Sequence, residues 1–354
     1  MTLEARFGEG PPPLSLGIEE ELVVVDAGTL QQVGEGPALA AALDGRTLPG
    51  RAKTELHASV FELNTAPRAT ADEALEALVV LRRAAAEAAA ERGLALAATG
   101  THPLSSPTSQ PIVQEERYLK MVEHHGASAR RQNVQGLHVH LAVPSADACW
   151  QLLEGLLPWL PVVLALSANS PWFEGEVTGM ASNRAPVLAE LPRTGAPEPF
   201  GSYAAWEAWV ERMVRLGLIA DYTRIWWDIR PHPRLGTLEI RMPDQPTDVR
   251  RTALFAELLQ KLSNRLLLDG GLGVVAADRA DYQYNRWAAS RFGPAAELIA
   301  PGGERVVGAA QLGRELLELT GVDGIDPSHC EGELQLRFDD PLEATADLVR
   351  RSLA

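Results

Sequence analysis

Two acidic side chains near the N-terminus have the type and spacing of a pair that could bind a metal ion. In the segment GIEEEL (17–22), the alternation of a β-strand places Glu19 and Glu21 on one face, and Ile18 and Leu22 on the other. Neighbouring carboxylates repel each other, so we expect a cation to face them. The segment therefore predicts a strand with one apolar face and one charged face.

Three further segments repeat this layout, with apolar residues on one face and polar residues two apart on the other. The polar pairs are His138 and His140 in HVHL, Asp228 and Arg230 in WDIR, and Glu239 and Arg241 in LEIRM. For any one strand a solvated face is the simpler interpretation, and a structural role for the two histidines is an equal alternative. Because the pattern recurs in four strands, an antiparallel sheet whose polar face lines a cavity is the more economical hypothesis.

Glu55 and Glu62 complete the set of acidic candidates, but their spacing is odd. They lie seven residues apart in KTELHASVFELN (53–64), which reads as an extended segment. An odd spacing places them on opposite faces of a regular strand, so a shared site requires a bulge or bend between them. The candidate metal ligands are then Glu19, Glu21, Glu55, Glu62, His138 and Glu239. This set is rich in oxygen and poor in nitrogen, which suits Mg²⁺ or Mn²⁺ rather than Zn²⁺.

Composition excludes several other classes of function. The formal net charge of -15 over 354 residues argues against a nucleic-acid partner, and no P-loop, G-x-S-x-G or H-E-x-x-H motif occurs. Cys149 and Cys330 are the only cysteines, which fits a reducing cytosol and excludes a disulfide framework or a cysteine zinc site. The N-terminal segment lacks the pattern of a secretory signal, so a cytoplasmic protein is expected. The apolar stretch 156–168 is too short for a membrane span and contains two prolines, so it predicts a buried helix.

The predicted elements suggest one α+β domain spanning residues 1–354. Strands are expected at 16–26, 53–64, 94–100, 135–143, 224–230 and 236–244, helices at 70–93, 146–168 and 203–219, an irregular excursion at 169–200, and mainly helices after 244. Thr70 is a suitable N-cap and Gly93 a suitable stop for the first long helix. Trp226 and Trp227 are expected to pack in the core and at its rim rather than to stack on a ligand.

Eight motifs in one order resemble the YbdK-type carboxylate-amine ligases of the glutamate-cysteine ligase type 2 family. They are GIEEEL (17–22), ELHASVFEL (55–63), GTHP (100–103), GLHVHL (136–141), ALSANSPWFEG (165–175), ASNR (181–184), WDIRPHPRLGTLEIRMPD (227–244) and YNRWAASRFG (284–293). The resemblance spans nearly the whole chain. It implies a glutamine-synthetase-like catalytic fold, in which a curved, mainly antiparallel sheet forms an active-site funnel with helices outside.

The resemblance also implies roles for individual residues. It assigns metal binding to Glu19, Glu21, Glu55, Glu62, His138 and Glu239, catalysis to Glu239 and Arg241, and substrate binding to Arg184, Arg230, Arg241 and His140. Arginine suits the last task because its planar guanidinium can hold a carboxylate or phosphate through two hydrogen bonds. The sequence departs from some relatives at Ala58, where they carry an acid.

The reaction implied by the resemblance consumes ATP and requires Mg²⁺ or Mn²⁺. A substrate carboxylate, glutamate by default, is phosphorylated and then condensed with an amine, with weak or specialised activity towards cysteine. The partners are small molecules, without nucleic acid or membrane, and family analogy makes a homodimer plausible. Two alternatives are a guanidino-type phosphotransferase and a catalytically silent nucleotide- or metabolite-binding relative.

Overall fold

The computed structural model describes residues 3–268 and 278–352. Its strands are β1 (Leu16–Asp26), β2 (Gly50–Thr54), β3 (Val60–Thr65), β4 (Leu94–Ala97), β5 (Leu137–Ala142), β6 (Trp172–Phe173), β7 (Glu176–Val177), β8 (Thr194–Gly195), β9 (Trp226–Trp227), β10 (Ile229–His232), β11 (Thr237–Ile240), β12 (Glu297–Ile299) and β13 (Val306–Gly308). Its α-helices are α1 (Gly36–Leu43), α2 (Ala71–Ala90), α3 (Glu116–His125), α4 (Ala127–Arg130), α5 (Ala146–Leu156), α6 (Leu160–Ser167), α7 (Arg184–Leu188), α8 (Tyr203–Arg215), α9 (Val249–Leu268), α10 (Arg279–Phe292), α11 (Ala309–Thr320), α12 (Gly332–Gln335) and α13 (Pro341–Ser352).

The central sheet has seven strands in the order β10-β11-β5-β1-β3-β2, with β4 added to the C-terminal half of β1. All of its strand pairs are antiparallel. The four strands with polar-apolar alternation are therefore neighbours or near neighbours at its centre and edge. This is the arrangement expected of an antiparallel sheet with one buried apolar face and one polar face.

The apolar face of the sheet packs against helices. Leu16 and Ile18 of β1 belong to the same buried cluster as the apolar positions of β5 and β11 and the inner faces of α5 and α9. Further along β1, Leu22 and Val24 pack with β3, α1 and α2 in a second buried cluster. Full burial of such a side chain stabilises the fold by about 1.5–3 kcal/mol, so the apolar face fixes which way the polar residues point.

Glu20 is the exception on the helix-facing side of β1, because it is fully buried beside the apolar positions. The guanidinium of Arg82 on α2 donates two hydrogen bonds to its carboxylate, at 2.7 and 2.6 Å. Arg82 also donates to the backbone oxygens of Thr247 at 2.6 Å and Ser352 at 3.1 Å. One buried ion pair thus joins β1, α2, the segment after β11 and the end of α13.

Local signals explain the long helices. The Thr70 hydroxyl accepts a hydrogen bond from the Glu73 amide at 3.2 Å, which confirms the predicted N-cap of α2. The predicted helix 146–168 is buried but is not one regular α-helix, because a 3-10 turn at Leu157–Trp159 separates α5 from α6. Pro158 in that turn lacks the amide hydrogen that an α-helix would use. Within the described residues, the stretch Ala146–Ser167 is long and apolar enough for a membrane span, and 83% of it is buried inside the protein.

Two sequence-based assignments of strands were wrong. Residues 53–64 are not one extended segment, because β2 and β3 form an antiparallel hairpin with Lys53 opposite Glu62. The segment 224–230 is divided into a 3-10 turn at Tyr222–Arg224, β9 and the start of β10. The hairpin of β12 and β13 was not predicted, since its strands have only three residues each.

Candidate active site

The polar face of the sheet lines a cavity of about 340 Å³. All of the predicted metal-binding, catalytic and substrate-binding residues line it: Glu19, Glu21, Glu55, Glu62, His138, His140, Arg184, Arg230, Glu239 and Arg241. The opposite walls come from α3, α7 and the segment 223–226. The structure thus brings together side chains from positions 19 to 241.

Strand register explains the first group of side chains, at the junction of β1, β5 and β11. Glu19 lies opposite His138, and Glu239 lies opposite His140. The Nδ1 atom of His138 lies 3.3 Å from Glu19 Oε2, and His140 Nε2 lies 3.6 Å from Glu19 Oε1. A carboxylate can only accept a hydrogen bond, so Nδ1 of His138 carries the proton and leaves the Nε2 lone pair free.

A second group lies where β1 meets β3. Glu21 is directly opposite Glu62 in the antiparallel register, and His138 Nε2 lies 3.9 Å from Glu21 Oε1. Burial raises the pKa of both carboxyl groups, and the charge of Glu19 raises the pKa of Glu62 further. Negative charge is therefore concentrated here, which is the environment that a bound cation would relieve.

The hairpin resolves the odd spacing of Glu55 and Glu62. Glu62 is in β3, whereas Glu55 begins the connection after β2, so the chain reverses direction between them. Burial, Glu62 and Glu21 raise the pKa of Glu55 well above its usual value. The bend that the spacing required is thus a complete turn rather than a bulge.

Glu239 is held between two arginines. Its Oε2 accepts hydrogen bonds from Nε and Nη2 of Arg230 at 2.9 and 2.6 Å, and its Oε1 forms an ion pair with Arg241. Burial raises the pKa of Glu239, but Arg230 and Arg241 outweigh it, so the pKa lies well below the usual value. Burial and Arg241 lower the pKa of His138 to about 4, which keeps its imidazole neutral and able to bind a metal at neutral pH.

Arg184 is fixed by the backbone. Its Nη1 and Nη2 donate to the carbonyl oxygens of Met242 at 3.2 Å and Arg241 at 3.1 Å. Gly136 makes room for it, because a Cβ atom built there would lie 2.1 Å from Arg184 Nη2. The Gly136 amide in turn donates to Glu21 Oε2 at 2.6 Å. Arg184 therefore supports the end of β11 as well as lining the cavity.

Sequence reasoning missed two polar residues that contact the acids. Lys53 Nζ lies 2.9 Å from Glu62 Oε1 and 3.7 Å from Glu19 Oε1. Asn64 donates from Nδ2 to Glu19 Oε1 at 2.7 Å. Lys53 and Arg241 are the cations that the paired glutamates led us to expect, and the hairpin register was the signal that could have identified Lys53.

One prediction about the segment WWDIR, that Asp228 shares a site with Arg230, was wrong. Asp228 does not share a site with Arg230, because Asp228 accepts hydrogen bonds from Tyr282 at 2.9 Å and Arg286 at 2.8 Å on α10. The two tryptophans also differ. Trp227 stacks on Trp209 in the core, with ring centroids 5.9 Å apart, whereas Trp226 lines the cavity.

The donor set fits a divalent cation that prefers oxygen. Two groups, Glu19-His138-Glu239 and Glu21-Glu62-His138, each have potential ligand atoms within 4.8 Å of one another. Among residues 3–268 and 278–352, Nε2 of His138 and Nε2 of His140 have no hydrogen-bond partner although both are buried. Carboxylates with one neutral imidazole suit Mg²⁺ or Mn²⁺.

A recess of about 460 Å³ adjoins the acidic cavity and shares Glu19 and His140 with it. Its walls are mostly apolar or backbone, from Leu16 to Ile18 of β1, Leu48, Pro67, Ala142 and Leu235. The carboxylates therefore have an apolar recess beside the polar cavity. An elongated ligand with one apolar end and one anionic end would match this shape and polarity.

Sequence comparison finds relatives over most of the chain. The profile of the family described as "Glutamate-cysteine ligase family 2" matches residues 15–334. A Rubrobacter xylanophilus protein named "Putative glutamate--cysteine ligase 2-3" is 40% identical over 321 residues, covering 89% of this chain and 85% of that protein. A Herpetosiphon aurantiacus protein named "Putative glutamate--cysteine ligase 2" is 35% identical over 315 residues, covering 86% and 80%.

Structural comparison finds the same architecture in solved ligases. The glutamate-cysteine ligase of Francisella tularensis, solved with AMP, superposes with a TM-score of 0.65 at 16% identity, covering 96% of this chain and 88% of that one. A bifunctional glutathione synthetase of Pasteurella multocida gives a TM-score of 0.62 at 17% identity, covering 96% and 51%. The expected glutamine-synthetase-like α+β fold, with an open antiparallel sheet and helices outside, is confirmed.

Proposed function

Since the chain belongs to glutamate-cysteine ligase family 2, we propose that it is an ATP-dependent carboxylate-amine ligase that activates the γ-carboxylate of glutamate and joins it to an amine. The observation that supports this most is the convergence of six potential metal ligands and the arginines 184, 230 and 241 on one cavity of the sheet. Acidic and basic side chains in such proximity can hold a metal-nucleotide complex and a carboxylate substrate side by side.

We assign metal binding to the two groups that share His138, with Glu55 beside them. Mg²⁺ or Mn²⁺ bound there would neutralise the charge of the ATP phosphates. The protein's own contribution is to fix the carboxylates before the substrates arrive. Asn64 and the Gly136 amide hold Glu19 and Glu21, and Lys53 offsets part of their repulsion until a cation replaces it.

We assign the arginines to the anionic substrate groups. Arg241 lies between Glu239 and the charge of Glu21, where it can contact the transferred phosphoryl group or the substrate carboxylate. Arg230 keeps Glu239 ionised and oriented. Arg184 and His140 are the remaining candidates for substrate binding, and each retains a buried nitrogen without a partner within the described part of the chain.

The proposed reaction has two steps. A glutamate carboxylate oxygen attacks the γ-phosphorus of ATP, and the bond from that phosphorus to the bridging oxygen of ADP breaks. The amine nitrogen then attacks the acyl carbon, phosphate leaves and the amine loses a proton. We place the adenine ring in the apolar recess, because that recess adjoins Glu19 and His140 and has few charged walls.

Trapping with hydroxylamine tests this proposal without knowledge of the natural amine. With Mg-ATP, glutamate and hydroxylamine, we expect ADP, phosphate and γ-glutamyl hydroxamate, identified by mass spectrometry. Glu21→Gln and Glu62→Gln should lower the rate by about 10²-fold or more, since electrostatic contributions of this kind reach 10²–10³. Glu297→Gln, on the exposed edge of β12, is the matched control. ADP without hydroxamate, or a stable phosphorylated product, would contradict the ligase assignment.

A further inference from the structure

The cavity wall that faces the carboxylates is partly apolar and carries Arg224 and Arg117, of which Arg117 pairs with Glu115. Met121 of α3, Leu188 of α7, Leu191 and Trp226 supply its apolar surface, and Arg224 lies beside them. Apolar side chains do not bind metal ions or phosphate groups. This wall therefore serves a different part of the substrates.

Trp226 is held in one position. Its amide donates to the Arg193 carbonyl at 2.8 Å, and the Arg193 guanidinium lies 5.8 Å from the centre of its indole ring. The His125 ring meets the indole edge-on at a centroid distance of 5.4 Å. Trp226 is only 9% exposed and yet lines the cavity, so this rigid aromatic surface is turned towards the cavity. Such a surface binds apolar groups with little loss of conformational entropy.

Arg224 is a cation without a local counter-ion. Its backbone is fixed by the Asp221 carbonyl at 3.2 Å and by Arg193 Nε at 2.9 Å, but its guanidinium has no ion pair or hydrogen bond within residues 3–268 and 278–352. Among the arginines that line the cavity, Arg117, Arg230 and Arg241 pair with carboxylates, whereas Arg224 and Arg184 have no carboxylate partner within the described residues. Its planar group can receive a carboxylate through two hydrogen bonds.

The wall is also tied to the acidic centre. Arg230, which binds Glu239, donates from Nη1 to the carbonyls of Ile225 at 2.6 Å and Thr223 at 3.2 Å. The positions of Arg224 and Trp226 are thus fixed relative to the carboxylates on which the reaction depends. A molecule seated on the wall would present its amine towards the activated carboxyl group.

We propose that this wall is the acceptor site, and that the acceptor is an α-amino acid with an apolar side chain larger than that of cysteine. The inference rests on the ligase function proposed above. The apolar side chain packs against Trp226, Leu188 and Leu191, and the acceptor carboxylate pairs with Arg224. Each methylene buried in such a site is worth about 10–200-fold in discrimination, so cysteine would use the wall poorly.

The test compares acceptors with and without each recognised group. With saturating Mg-ATP and glutamate, phenylalanine, leucine and methionine should have higher kcat/KM than cysteine or alanine. Arg224→Gln should raise KM about 10-fold or more for phenylalanine but not for phenethylamine, which lacks the carboxylate. Trp226→Leu should raise KM for both. In both variants, hydroxamate formation, which needs neither group, should fall by a smaller factor than ligation of phenylalanine.

Matched controls exclude general damage. Arg215→Gln changes an exposed arginine at the end of α8, and Trp287→Leu changes a tryptophan that is 54% exposed outside the cavity. Neither should alter KM for any acceptor. Two outcomes would overturn the acceptor assignment but leave the ligase proposal standing. One is hydroxamate formation by a protein that shows no preference for apolar amino acids, and the other is a higher KM for ATP, rather than for the acceptor, in the variants at 224 and 226. No hydroxamate with the unaltered protein would overturn the ligase proposal and this inference together.

Discussion

Glu239 is the residue whose loss should weaken metal binding and folding together. Glu239→Gln keeps the shape of the side chain but leaves Arg230 and Arg241 facing each other without the shared carboxylate. We expect Mn²⁺ affinity to fall by at least about 10-fold and the free energy of unfolding to fall by about 3–5 kcal/mol, as for other broken buried ion pairs. Calorimetric titration with Mn²⁺ and urea unfolding measure the two effects. Unchanged Mn²⁺ affinity would remove Glu239 from the metal site.

For single residues, the sequence predicted on which face of the sheet a side chain lies wherever the two-residue alternation of a strand alone determines that face. Two-residue spacing predicts that the polar face carries Glu19, Glu21, His138 and Glu239, since a shift of one residue along the strand would place these side chains in the apolar core. Lys53 does not follow from this spacing, because its partner Glu62 is set by the register of a hairpin. Asp228 was misplaced because the chain there leaves regular strand geometry between β9 and β10, so period-two counting no longer applies.

Among the elements, α2 and β1 depend on a single buried arginine. Arg82→Ala would leave the Glu20 carboxylate uncompensated in the core and release the carbonyls of Thr247 and Ser352. We expect the free energy of unfolding to fall by about 3–5 kcal/mol, measured by urea denaturation. Arg83→Ala, at the next and exposed position of the same helix, is the matched control and should change stability by less than about 0.5 kcal/mol. Equal stabilities of the two variants would contradict a structural role for the ion pair.

The sequence predicted helix α2 from its N-cap and periodicity. It predicted strands β1, β5 and β11 from their alternation of apolar and polar residues. The hairpin of β2 and β3 was not predicted, because the connection 55–59 contains neither glycine nor proline and so carries no turn signal. The three-residue strands β12 and β13 are too short for alternation to distinguish them from a loop. Tertiary pairing, rather than local preference, determines these segments.

For the molecule as a whole, His102 should make stability sensitive to acid. It is buried, its Nε2 lies 3.1 Å from the Leu30 carbonyl and its Nδ1 accepts from the amides of Leu104 and Ser105, so only the neutral ring satisfies the site. Burial lowers its pKa to about 3, below the unfolded value near 6.5. The unfolded chain therefore binds one more proton between these values. Stability due to this group is complete above about pH 6.5 and is lost as the pH falls towards 3.

His102→Gln tests this whole-molecule effect. The variant should be less stable at neutral pH, but its free energy of unfolding should fall less steeply between pH 6 and 4 than that of the unaltered protein. The two slopes should differ by up to about 1.4 kcal/mol per pH unit. Urea denaturation across that range gives both slopes. His329→Gln, at an exposed histidine, is the control. Parallel slopes for the His102 variant and the unaltered protein would show that His102 does not bind the extra proton.

At the scale of the whole chain, the fold was predictable because eight motifs specify one topology together, although each is weak alone. The polar cavity followed from the same motifs. The apolar wall did not, because it is built from three segments far apart in the sequence, which contain Met121, the pair Leu188 and Leu191, and Trp226. Only the folded chain shows that they surround the same space.

The division between a floor of paired strands and a wall outside the central sheet has a consequence for how the sequence can change. Most of the carboxylates, namely Glu19, Glu21, Glu62 and Glu239, sit on paired strands, where an insertion of one residue would reverse every side chain, whereas Leu191 and Arg224 sit outside regular strands. The two halves of the cavity therefore tolerate insertions and deletions unequally. If the wall receives the acceptor, as we propose, changes of sequence there would alter the choice of amine and leave the carboxylates of the floor in place.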